Sequence, residues 1–248
     1  MQMADESGAK IPSEVATTSE CLFYLDLMSH EVLNFNQAVL GYLEIVKSDP
    51  SIDDDVKRYL LSAIGQIRNS SQMIDDVKKI AHLGTMDEST FLPLDLRRII
   101  SEGLEELRAQ FPDRKLRMNL KGVSDSVHVR ATEALGDVIV HMLSNAVRFD
   151  TSDEVVIDIS VERPTVAPGM VDIIVEGRGL GIPDRMRIAS TEEPESDEKT
   201  NMARDMGLLL VRAAAKRFGG RLIISDRVPG DQSNGAKLTV RLPEAIMR

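Results

Sequence analysis

The chain has 248 residues, 42% of them hydrophobic and 28% charged, enough apolar material for a sizeable core in one or two domains. A formal charge of -10 excludes a non-specific nucleic-acid binder, because a polyanion would be repelled. The single cysteine, Cys21, excludes an intramolecular disulfide and a cysteine metal cluster, and no apolar run approaches the length of a membrane span.

Residues 1–19 are small and polar and read as a tail or linker, with no basic-then-apolar signal pattern in the first ten. A cytoplasmic, reducing location is the expectation. The first helix is expected from about Glu20 to Lys47. Apolar or small residues recur at Leu22, Leu25, Ser29, Val32, Val39, Leu43 and Val46, with Asn36 filling one polar position. Spacings that alternate three and four mark the seam of a helix packed on other helices. Ser48-Asp49-Pro50-Ser51 ends it, because proline cannot continue a helix. A second helix starts near Asp53 with its own stripe, Val56, Leu60, Ala63, Ile67, Ser70, Ile74, Val77 and Ala81. Two such helices make an antiparallel hairpin, and a homodimeric four-helix bundle would cover their remaining apolar faces. The hairpin is assigned to residues 20–86, and Gly84 with Asp87-Glu88-Ser89 reads as a hinge.

From residue 91 to 248 the pattern is mixed α and β. Helices are expected over Asp95–Arg108, Glu133–Phe149 and Gly207–Arg217. Strands are expected over Lys115–Leu120, Glu154–Glu162, Met170–Glu176, Arg221–Ser225 and Lys237–Leu242. This alternation predicts a two-layer α/β sandwich. Thr191–Lys199 is dense in acids and reads as a loop.

His30 lies one position past the helical seam, so its imidazole should reach water. Glu31 follows directly and Asn34 sits one turn on, on the same face. A solvent-reachable imidazole with an acid and an amide beside it can act as a nucleophile. Further on, His141 and Asn145 share a helix face at i and i+4, and Arg148 is one turn beyond.

Past residue 20 the chain resembles the two-component sensor histidine kinases. Met28-Ser29-His30-Glu31-Val32 is similar to their phosphoacceptor box, and His141–Phe149 to their asparagine box. Gly179-Leu180-Gly181-Ile182-Pro183 is similar to the end of the first glycine box, and Met206-Gly207-Leu208 with Phe218-Gly219-Gly220 to the second and the helix after it. The resemblance implies that His30 accepts the γ-phosphoryl group of ATP, that Glu31 orients the ring, and that Asn34 positions water in the reverse, dephosphorylating reaction. It implies nucleotide contacts from His141, Asn145, Arg148, Gly179, Gly181 and Gly207. Mg²⁺ would sit on Asn145, whose amide oxygen suits a hard cation. The implied partners are an identical chain and a response regulator whose aspartate takes the phosphoryl group.

Three of these motifs depart from the family pattern. Gly177 stands where an adenine-reading Asp is expected, and Arg178 follows where Asn is usual. Asp205 and Leu209 replace phosphate-facing glycines. Leu33-Asn34-Phe35 replaces the Arg-Thr-Pro that kinks the phosphoacceptor helix. These losses leave room for an ATP-independent phosphotransferase or regulator phosphatase, and for a non-catalytic adaptor. The His-bearing hairpin argues against a chaperone-type or mismatch-repair-type ATPase of the same fold.

Overall fold

A computed structural model describes residues 14–123, 126–182 and 206–245, with side chains from Ser19 onward. The chain opens with α1, Glu14–Ser48, and α2, Asp54–Thr85. Helix α1 starts upstream of Glu20, since extending a formed helix costs far less than nucleating one. In the turn, Asp49 accepts hydrogen bonds from the Ser51 amide at 2.8 Å and hydroxyl at 2.6 Å. Asp53 then caps α2 by accepting from the Asp55 amide at 2.8 Å.

The two helices are joined by polar contacts along their length. Asn36 donates to the Ser71 hydroxyl at 3.0 Å, and Arg68 to Glu44 at 3.2 Å. Asp26 meets Lys78 at 3.3 Å and His82 at 3.0 Å. The stripe of α1 that faces inward is Leu22, Leu25, Ser29, Leu33, Asn36, Leu40 and Leu43. Val32, Val39 and Val46, expected in that seam, are instead 37%, 41% and 43% exposed. They belong to a second stripe, Met28, Val32, Phe35, Val39, Tyr42 and Val46, which faces solvent. Both stripes obey three-four spacing, so periodicity alone cannot say which one the hairpin buries. On α2 the inward stripe is Leu60, Ile64, Ile67, Ser71 and Ile74, whereas Val56 and Val77 are exposed.

From Leu83 onward the described residues form a second compact unit. Its elements are β1 (Leu92–Asp95), α3 (Leu96–Gln110), β2 (Lys115–Lys121), β3 (His128–Ala131), α4 (Ala134–Arg148), β4 (Glu154–Glu162), β5 (Met170–Gly177), α5 (Met206–Arg217), β6 (Arg221–Val228) and β7 (Asp231–Pro243). Five strands make one sheet in the order β2-β4-β5-β7-β6, with β2 parallel to β4 and the other pairs antiparallel. Val155, Ile157, Ile159, Val161, Val171, Ile173 and Val175 point from the sheet into a buried layer with Ile99, Leu107, Leu135, Ile139 and Leu143 of α3 and α4. The result is the expected two-layer sandwich. β1 and β3 were not expected; they pair with each other as a separate two-stranded ribbon.

The polar run Asp87-Glu88-Ser89 is an ordered turn. Asp87 accepts from the Ser89 amide at 2.9 Å and caps a 3₁₀ turn over Glu88–Thr90. Arg217, the last residue of α5, donates to the Met86 carbonyl and to Glu88 at 2.9 Å. Its guanidinium lies 5.2 Å from the centre of the Phe91 ring, which in turn meets Phe218 edge-on at 5.4 Å. Among the described residues no helix is long and apolar enough to cross a membrane.

Candidate functional site

His30 is exposed on α1, its side chain 71% accessible, while its neighbour Ser29 is buried at 4%. Both flanking groups approach the same ring nitrogen. Asn34 Nδ2 is 3.2 Å from His30 Nδ1, and Glu31 Oε1 is 3.7 Å from it. Nε2 is thereby left facing solvent. Rotating the Asn34 amide by half a turn lets its oxygen accept the Nδ1 proton, which frees the Nε2 lone pair. Phe35 replaces the expected proline, and α1 runs on through it as one helix to Ser48.

A cleft opens in the second unit. Met142, Asn145, Ala146 and Phe149 of α4 form one wall, and Val175 and Gly177 of β5 with Ala236 and Leu238 of β7 form the floor. Gly179, Leu180 and Ile182 close the rim. The wall arises because positions 142, 145/146 and 149 share one helix face, and the floor because alternate strand residues share one sheet face. That periodicity could have named the apolar lining from sequence, but only once the α4 and β5 faces were known to oppose each other.

Asn145 and Gly179 thus line the cleft; His141, Arg148, Gly181 and Gly207 are not in its lining. His141 is buried at 7%, and a side chain on Gly207 would start 3.0 Å from its Nδ1. Arg148 is exposed at the end of α4. Gly179 and Gly181 are needed for backbone packing: a Cβ on Gly179 would lie 2.2 Å from the Phe149 carbonyl oxygen, and one on Gly181 2.0 Å from that of Gln232. Leu209 is 7% exposed and belongs to the core. Pro183, Asp205 and Thr191–Lys199 lie outside the described residues. Glu176 turns away from the cleft to pair with Lys237 at 3.5 Å, and Arg178 pairs with Asp158 at 3.3 Å.

One atom in the cleft is conspicuous for its lack of a partner. Asn145 Nδ2 is buried and makes no hydrogen bond. A buried amide left unpaired costs roughly 1–3 kcal/mol, so the site is built to be completed by something else. The lining is an apolar slot with one amide at its wall.

Residues 131–246 match the family described as histidine kinase-, DNA gyrase B-, and HSP90-like ATPase. The chain is 23% identical over 230 residues to the sensor histidine kinase YcbM of Bacillus subtilis (strain 168), covering 90% of this chain and 73% of that one. It is 25% identical over 234 residues to the sensor histidine kinase AruS of Pseudomonas aeruginosa, covering 89% of this chain but 22% of that protein. The fold matches the structure of full-length ShkA in complex with AMPPNP, with a TM-score of 0.58 and 18% identity over 90% of this chain and 46% of that one. Residues 131–246 carry this ATPase-type domain, and along most of its length the chain is similar to two-component sensor histidine kinases. The sandwich that follows the helical hairpin shares its fold with a solved histidine kinase catalytic domain, at a TM-score of 0.50 and 17% identity over 64% of this chain. In the segment that resembles the first glycine box, Gly179 and Gly181 are present and Gly177 stands at the head.

Proposed function

We propose that this chain is a histidine kinase that transfers the γ-phosphoryl group of ATP to His30 and then to an aspartate of a response regulator. The observation that carries the reading is the exposed imidazole of His30, whose Nδ1 is approached by both Glu31 and Asn34 while Nε2 faces solvent. ATP with Mg²⁺ supplies the phosphoryl group. Met142, Phe149 and Leu238 would flank the base, and Asn145 would turn its amide oxygen to the cation or its nitrogen to a phosphate. Glu31, 3.7 Å from Nδ1 here, would close on it to accept the Nδ1 proton when Asn34 turns to water, which keeps Nε2 unprotonated and nucleophilic. Nε2 forms the new bond to phosphorus as the bond to the leaving oxygen breaks, and the electron pair leaves with ADP. The regulator's carboxylate later takes the phosphoryl group by the same kind of displacement. Asn34, one turn along, would position water when the regulator is dephosphorylated.

The outward stripe of α1 supports a homodimer. Met28, Val32, Phe35, Val39, Tyr42 and Val46 repeat at four-three spacing and are between 37% and 71% exposed. A second copy laying the same stripe against it would complete a four-helix bundle.

The test is labelling of the purified protein with γ-labelled ATP and Mg²⁺. The expected result is an acid-labile label on the wild type and none on His30→Ala. Label that persists on His30→Ala would overturn the assignment. Label obtained only from a phosphorylated regulator would replace the kinase reading with that of an ATP-independent phosphotransferase.

A further inference from the structure

The cleft has an unusual lining for a site that must choose a base. Among the described residues, eight of its eleven lining positions are apolar, two are glycine, and only Asn145 has a side-chain donor or acceptor. At the floor, where on the kinase reading a side chain would face a base edge, Gly177 offers none. The two charged neighbours of Gly177 both turn away: Glu176 is paired to Lys237 and Arg178 to Asp158. Crowding keeps the position small. A Cβ on Gly177 would lie 3.0 Å from the Ala146 Cβ and 3.3 Å from its Cα.

An apolar slot holds any flat ring of the right size by stacking and burial, and it rejects poorly an isostere that differs only in a polar substituent. Strong discrimination needs a placed hydrogen-bond partner, which the wrong base leaves unpaired. From this lining we infer that the cleft takes purine nucleoside triphosphates without reading the exocyclic group at ring position 6. GTP and ITP are therefore phosphoryl donors alongside ATP. The inference rests on the kinase reading above and extends it to the substrate class. Asn145 serves the phosphate end, which all three nucleotides share, so its amide does not restore a preference.

Isothermal titration of the full chain with ATP, GTP and ITP, each with Mg²⁺, tests it. The expected dissociation constants agree within about threefold. A preference of about tenfold or more for one nucleotide overturns the inference while leaving the kinase reading intact. Failure of all three to bind overturns both. Gly177→Asp supplies the second arm, because a carboxylate there accepts from a 6-amino group and repels a 6-oxo group. The variant should shift the ATP-to-GTP ratio by about tenfold or more toward ATP. Since Ala146 crowds that position, the double variant Gly177→Asp with Ala146→Gly is titrated in parallel, and circular dichroism identifies the variant that keeps the native fold. An unchanged ratio in a folded variant means that the base edge does not face position 177, which also overturns the inference.

Discussion

Two glycines in one unit separate packing from conformational entropy. Gly179 sits where a Cβ would be 2.2 Å from the Phe149 carbonyl oxygen and 2.7 Å from the Asp150 Cα, so Gly179→Ala must displace the chain at residues 149–150. The expected cost is about 1–3 kcal/mol, seen as a lower urea midpoint at an unchanged slope. Gly136 lies inside α4 with nothing within 4 Å of its Cβ position, so Gly136→Ala should stabilise by about 0.5–1 kcal/mol in the same titration. A loss at Gly136 comparable to that at Gly179 would contradict this packing account. Single residues were legible in sequence to different degrees. His30 stands out because its neighbours sit within one helical turn, and local spacing is sufficient to place them. Asn145 was found by its position in a box, but its unpaired nitrogen depends on what α4 faces, which no local pattern contains.

At the scale of elements, the outward stripe of α1 makes a separate claim. Phe35 is 67% exposed at its centre, so Phe35→Glu places a charge in the apolar face of the proposed bundle. Sedimentation equilibrium at micromolar concentration should show a wild-type dimer and a largely monomeric variant; two monomers, or two dimers of equal strength, would count against the bundle. The helices and the sheet were readable from periodicity: β4 occupies Glu154–Glu162, where burial alternates residue by residue. β1 and β3 escaped notice for a physical reason. Each has four residues, too few to show alternation, and each is held by the other across more than thirty positions. The seam of α1 was displaced from Leu33 and Leu40 to Val32 and Val39 because a helix with two adjacent apolar stripes satisfies the same spacing twice.

Across the whole molecule, carboxylates in both units add to the acid sensitivity of the fold. The His82 hydrogen bond holds the Asp26 carboxyl below its usual range, and Lys78 adds to this. Burial pushes the Asp158 carboxyl up, but Asn119 and Arg178 more than reverse it. The Arg163 fork lowers Glu244. A carboxylate whose folded pKa is depressed contributes stability that is fully present above its unfolded pKa, about 4, and is lost as pH falls through the lower folded value. Helical circular dichroism during urea unfolding should therefore show constant stability from pH 7 to about pH 5 with respect to these groups, then a decline below about pH 4. Asp26→Asn should be less stable than the wild type at pH 7 and should converge with it at the acid end. A gap that stays constant down to pH 3 would assign the effect of Asp26 to shape and not to charge.

The Arg217 contacts have a mechanical consequence. Helix α5 is twelve residues, about 18 Å, from Met206 to Arg217. One end is strapped to Met86, Glu88 and Phe91; the other carries Gly207 against His141, one turn from Asn145. A helix is stiff along its axis, so this one works as a strut. Within this unit, a displacement of Met86–Phe91 is thereby carried along α5 to Gly207 and His141.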